Sequence, residues 1–202
     1  MNKRYSLTAL GFLLATSAFS ANALTIDFVP NQYYTSEVTA ELVDFNSSFP
    51  ANYTGGTLFN ASVSDITVKP EGAEGNFWSI NDSSTGQFSY SEGVSYYGFL
   101  WGSADSYNQI SFYNGSQLIG SLNGSQLSSA KNGNDNASFY VNAYVGTGEI
   151  ITSVSFYSGK NALETDNHAY IPAVSAVPEP ETYGMMLAGL GLMGILTRRR
   201  KG

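Results

Sequence analysis

Gln109-Ile110-Ser111-Phe112-Tyr113-Asn114-Gly115-Ser116-Gln117-Leu118-Ile119-Gly120-Ser121-Leu122 places two short alternating runs on either side of an Asn-Gly pair. That pair predicts a hairpin, because a type I′ turn needs positive φ at both central residues, and Asn and Gly tolerate it best. The same period of two returns along the chain. Ile150, Thr152, Val154 and Phe156 alternate with Ile151, Ser153, Ser155 and Tyr157, and Phe139, Val141, Ala143 and Val145 alternate with Tyr140, Asn142 and Tyr144. Val38, Ala40 and Leu42, and Ile66 with Val68, follow the same rule. A period of two sends successive side chains to opposite faces of an extended chain. Tyr, Phe, Val, Ile and Thr favour that state. No helical periodicity appears between Leu24 and Pro172, and Asn123-Gly124 and Asn132-Gly133 punctuate the loop after the hairpin. Many short strands with Gly-, Asn- and Ser-rich turns predict an all-β fold, a single β-sandwich of jelly-roll-like topology over residues 24–172.

The two ends read differently. Met1-Asn2-Lys3-Arg4 is basic, Leu7 to Phe19 is apolar, and Ala21-Asn22-Ala23 offers the small-x-small pattern of a cleavage site. Residues 1–23 are therefore expected to be a signal peptide, read by the Sec translocon and signal peptidase, with Leu24 opening the mature chain. Residues 173–182 form a linker that holds Pro178-Glu179-Pro180. Residues 183–202 follow as a hydrophobic helix and basic tail. The apolar stretch from Tyr183 to Thr197 is shorter than the ~20 residues a bilayer core wants. Arg198, Arg199, Arg200 and Lys201 then resist translocation. The expected result is a transient hold in the inner membrane rather than a permanent anchor.

This order of parts resembles the PEP-CTERM sorting signal of Gram-negative bacteria, the tail that an exosortase recognises and removes. The residues that carry the resemblance are Pro178-Glu179-Pro180, the glycines Gly184, Gly189, Gly191 and Gly194 in the apolar span, and the terminal basic run. Two segments of the body are also similar to exosortase-dependent surface proteins with such tails. One is Tyr96-Tyr97-Gly98-Phe99-Leu100-Trp101-Gly102-Ser103 with the Asp105 to Asn108 turn, and the other is Asn161 to Tyr170. The resemblance implies export, exosortase as partner, residence at the cell surface or outside it, and association with exopolysaccharide or biofilm. It implies no catalytic activity.

Composition narrows the function further. Between Leu24 and Val177 three lysines face fourteen acidic residues, a net charge of about −11 that the whole-chain value of −7 conceals. Such a domain repels nucleic acid and invites divalent cations. The chain has no cysteine, which excludes disulfides, thiol catalysis and Cys-bound zinc, and its single histidine, His168, leaves few metalloenzyme or triad schemes. No nucleophile-elbow, zinc-protease, phosphate-loop or dinucleotide signature occurs. Glycoside hydrolysis needs two facing carboxyls, and Glu71 with Glu74, or Glu164 with Asp166, are the pairs on offer.

Two groups of residues could bind. Tyr97, Phe99 and Trp101 share one face of an extended segment, and three rings in a row either fill the core or stack on sugar rings. Asp166 and Asn167 sit in what reads as the last strand. With Asp27 they make a candidate Ca²⁺ site, and Asp44, Asp105, Asp135 and Glu164 are further oxygen donors. The expectation is a non-enzymatic exported surface or matrix protein. The alternative is a Ca²⁺-dependent carbohydrate-binding module that grips exopolysaccharide through the three rings.

Overall fold

The computed structural model describes residues 24–127 and 138–173, together with helical residues 187–190 and 193 in the tail. Eleven strands run through the described residues: β1 (Thr25–Pro30), β2 (Glu41–Val43), β3 (Tyr53–Thr54), β4 (Thr57–Phe59), β5 (Phe77–Ile80), β6 (Ser84–Gly102), β7 (Asn108–Asn114), β8 (Gln117–Asn123), β9 (Phe139–Tyr144), β10 (Ile151–Ser158) and β11 (Leu163–Pro172). One three-residue 3₁₀ turn, Gly124–Gln126, is capped by Asn123. All strand pairs are antiparallel, and the all-β expectation is met.

Strand β6 organises the whole. Its first half pairs with β10, through which β7 and β8 are reached, and with β3 on its other edge. From Val94 onward its partners become β9, which continues to β1, and β11, which continues to β5, β4 and β2. Gly93 sits at the change with φ +77, and a Cβ there would meet the Ile150 side chain at 2.7 Å, so only glycine fits. Nine residues of straight strand span about 30 Å. Phe88 and Tyr97, nine residues apart on β6, nevertheless have ring centroids 4.6 Å apart. The strand is sharply bent, and the bend lays Phe156 of β10 against Phe99 of the second half, 5.1 Å between centroids. The core lies in that fold, lined by Phe88, Phe99, Trp101, Val141, Val154 and Phe156, all without solvent exposure.

Several local expectations shift by a residue. The hairpin forms, but Asn114 pairs with Gln117, so Gly115-Ser116 is the central pair. Only Gly115 has positive φ, +58, which is the type II′ pattern and not I′. In β10 the inward face runs through Val154 and Phe156 as the period requires. A bulge between Ile151 and Ser153 then brings Ile151, not Thr152, into the core. Residues 38–42 are mostly not strand: Val38 is 98% exposed in a turn, and β2 keeps only Glu41–Val43. Around Ile66 only an isolated bridge, Val63 to Thr67, remains, and Ile66 is exposed.

Among the described residues no helix is long and apolar enough to cross a membrane. Leu187, Leu190 and Met193 in the tail are exposed. Ala21, Ala23, Pro178, Glu179, Pro180, Arg198, Arg199 and Arg200 lie outside the described residues, as do Asp135 and the Asn132-Gly133 pair.

Candidate functional site

The chemistry-bearing residues of the body converge on β11, whose sequence Leu163-Glu164-Thr165-Asp166-Asn167-His168-Ala169-Tyr170 holds two carboxylates and the histidine. A regular strand would put Thr165 and His168 on opposite faces. Its register against β6 shifts between Asp166 and Ala169, with Asn167 at φ +47, and the extra residue turns His168 inward beside Thr165. Asn tolerates that left-handed conformation better than most residues.

The inward face is a closed network of neutral groups. His168 is fully buried among Phe45, Tyr53, Trp78, Tyr97, Phe99 and Phe156. Its Nδ1 is 2.7 Å from the Tyr97 hydroxyl and 3.2 Å from that of Tyr53, and its Nε2 is 2.5 Å from Thr165 Oγ1. Desolvation holds the imidazole well below its ordinary pKa, so the ring is neutral. Every ring nitrogen has a hydroxyl, and the histidine is a structural joint.

This arrangement decides between the two readings of the aromatic face. Tyr97, Phe99 and Trp101 have no solvent exposure. They are core residues: Tyr97 and Phe99 pack on Phe156 and His168, Trp101 packs on Phe99, and no sugar ring can reach them. The sugar-stacking assignment of these three residues is therefore corrected.

The opposite face of β11 carries Glu164 and Asp166 and is covered by the irregular segment from Ser62 to Asn76. Glu164 is held by three donors: Val68 N at 2.8 Å and Thr67 Oγ1 at 3.2 Å on one oxygen, and Ser103 Oγ at 2.9 Å on the other. These bonds pin a stretch that has almost no strand pairing of its own. Burial nonetheless raises the carboxyl to about 7, with nearby Asp105 adding repulsion. Glu164, Asp105 and Tyr107 line a polar cavity of about 510 Å³ between residues 62–68 and 103–107. The single hydroxyl proton of Tyr107 is shared between Asp105 Oδ2 at 2.5 Å and the Asn161 carbonyl at 2.8 Å.

Asp166 is different. It is fully buried, and neither carboxylate oxygen has a hydrogen-bond partner. Desolvation, joined by repulsion from Asp44, raises it to about 7; the Asn167 and Glu74 amides and the Lys69 charge pull the other way. Those amides stop short of hydrogen-bond geometry. Asn167 Nδ2 reaches the Tyr33 carbonyl at 2.9 Å and that of Gly72 at 3.4 Å. Asp27 does not belong here. It is an exposed residue of β1, opposite Asn142 of β9, and three strand spacings, about 14 Å, separate β1 from β11. Among the described residues no three His, Asp or Glu side chains gather tightly enough to hold a metal by themselves. The buried Glu164–Asp105 pair was not apparent in the sequence, since its members are 59 positions apart.

Outside the body, residues 176–201 match the PEP-CTERM protein-sorting motif. The match identifies an exosortase substrate sorted for export toward the cell envelope or surface. No curated protein matches the chain, and no solved structure does.

Proposed function

We propose that this chain is a non-enzymatic exported protein whose β body, once an exosortase has removed the tail, is a structural or adhesive part of an exopolysaccharide matrix. The sorting motif at residues 176–201 carries the reading. Its parts have separate physical jobs. Pro178-Glu179-Pro180 is the element that the exosortase reads. The short apolar span is held in the bilayer long enough to be cut, and the basic run keeps its own end in the cytoplasm. The Sec translocon and signal peptidase handle residues 1–23. The body itself reads as a β-sandwich of jelly-roll type, a view supported by the ring contacts that the bend of β6 creates between β10 and the second half of β6. Without cysteines, its persistence outside the cell comes from that aromatic packing.

Carbohydrate binding is the second reading, moved away from the buried rings. The cavity of about 510 Å³ beside Glu164, with Tyr107 and Asn161 in its wall, combines polar and apolar lining at a volume within the range of small-molecule sites.

Mass spectrometry of the native surface protein, with and without the exosortase, tests the main reading. The mature chain is expected to start at Leu24 and end near Pro180; surface material that retains Gly202 overturns it. Release of reducing ends from matrix polysaccharide that depends on Glu164 would overturn the non-enzymatic assignment.

A further inference from the structure

A carboxylate without partners inside a protein demands a physical account, because burying an ion without compensation costs several kcal/mol. Asp166 is such a group: no solvent exposure and no hydrogen bond to either oxygen. Lys69 is the basic side chain whose charge acts on it, and that ammonium is already engaged by the Gly75 carbonyl at 2.9 Å. Two remedies exist, a proton or a bound cation.

The surroundings favour the cation. Asp166 lies close to the Asp44 charge and the Glu74 amide, behind the wall of a cavity of about 350 Å³ whose polar lining is Tyr34, Thr35, Asp44, Asn46, Glu74 and Asn167 and whose apolar lining is Leu42 and Val43, with His168 beneath. Every polar group in that set offers oxygen. Asp44 Oδ1 accepts from Asn46 N at 3.1 Å, closing a tight turn, and Asn46 Oδ1 accepts from Asn76 N at 2.8 Å, which ties the loop to the end of β2. The β2–β11 pairing ends at Val43 opposite His168, and Asp44 and Asn167 are the next residues along the two segments. Asn167 in turn gathers the Tyr33 and Gly72 carbonyls, each of which retains a lone pair. An elongated chain of oxygen donors, with no sulfur and no accessible imidazole, suits a hard cation of flexible coordination.

We propose that Asp166 is the anchoring ligand of a Ca²⁺ site, completed by Asp44 and by amide and backbone oxygens where β2 and the 70–76 loop close over the bulge of β11. The site uses Asp166 and Asn167 as the sequence suggested, with Asp44 in place of Asp27. Two carboxylates make it a weak site, with Kd in the extracellular range of about 10⁻⁴–10⁻³ M. It is independent of the sorting tail, so its failure would leave the exosortase reading standing.

The test uses the purified full-length chain. Thermal melts in chelator and in about 10 mM Ca²⁺ are expected to differ by about 5 °C, as mass action at a site of this affinity requires. Asp166→Asn abolishes the response and melts no lower than wild type in chelator, because the uncompensated charge is gone. Asp44→Asn weakens Ca²⁺ binding by roughly tenfold, an effect that stands if Asp166→Asn fails to fold. Tb³⁺ luminescence sensitised by Tyr34, which lines the same cavity, reads occupancy directly. A wild-type melt unmoved by Ca²⁺ together with no Tb³⁺ signal overturns the site and leaves Asp166 a buried neutral acid. An Asp166→Asn chain that still responds like wild type overturns it equally.

Discussion

The two faces of β11 show how one strand solves the burial of polar groups in opposite ways. On the inner face, Thr165 and His168 are neutral, and their groups are paired with one another and with Tyr53 and Tyr97. On the outer face two carboxylates are equally hidden: Glu164 has three donors, and Asp166 has none. A neutral, satisfied network can sit in the middle of an aromatic core with no further help. A buried carboxylate needs donors, a proton or a cation, and that need is what marks the outer face as the chemically open side.

The inner side carries the largest effect. Phe99→Ala removes a fully buried ring that touches Tyr97, Trp101, Phe156 and His168, and should cost about 4 kcal/mol in urea unfolding. A loss below about 1 kcal/mol would mean that the ring is not core.

Alkaline pH probes the same side more gently. Burial raises the hydroxyls of Tyr53, Tyr97 and Tyr140 far above their ordinary value. The unfolded chain ionises them near pH 10, so the folded state binds more protons above that pH. Stability is complete below pH 10 and should fall above it by about 1.4 kcal/mol per pH unit for each tyrosine. Chemical melts between about pH 9 and 11, followed with tyrosinate absorbance, check the slope. A flat profile would place these rings in water.

The outer side gives the smallest effect. Glu164→Ala strands the Val68 amide and the Ser103 hydroxyl and leaves Thr67 only its bond to Ser79, for a loss of about 2 kcal/mol. Hydrogen exchange should rise first in residues 62–68, which Glu164 holds to the sheet. Uniform exchange across the body would refute that local role.

Legibility in the sequence followed the range of the interactions. The β10 alternation, the hairpin at Gly115 and the aromatic run Tyr97–Phe99–Trp101 were all readable, because side-chain period and turn residues act over a few positions. The phase errors at Ile151 and at Gly115-Ser116 came from bulge and register choices, which the partner strand sets. Val38 to Leu42 carried the right period without becoming a long strand, since no neighbour pairs with its first half. Asp166 and Asn167 stand together on the bulge of β11, whereas Asp27, grouped with them from the sequence, belongs to a distant strand. Nothing local distinguishes Asp27 from Asp44.

By itself, the order of residues determined that this chain is built of strands and that it ends in a sorting signal. Both are written in short-range terms: alternation by two, and a proline motif, apolar span and basic run in succession. Only the tertiary structure decided that the three rings face inward, that a bulge turns His168 to them, and that Asp166 is closed off beside Asp44. A period of two says that a strand has two unlike faces. Which face is covered, and by what, depends on segments a hundred residues away.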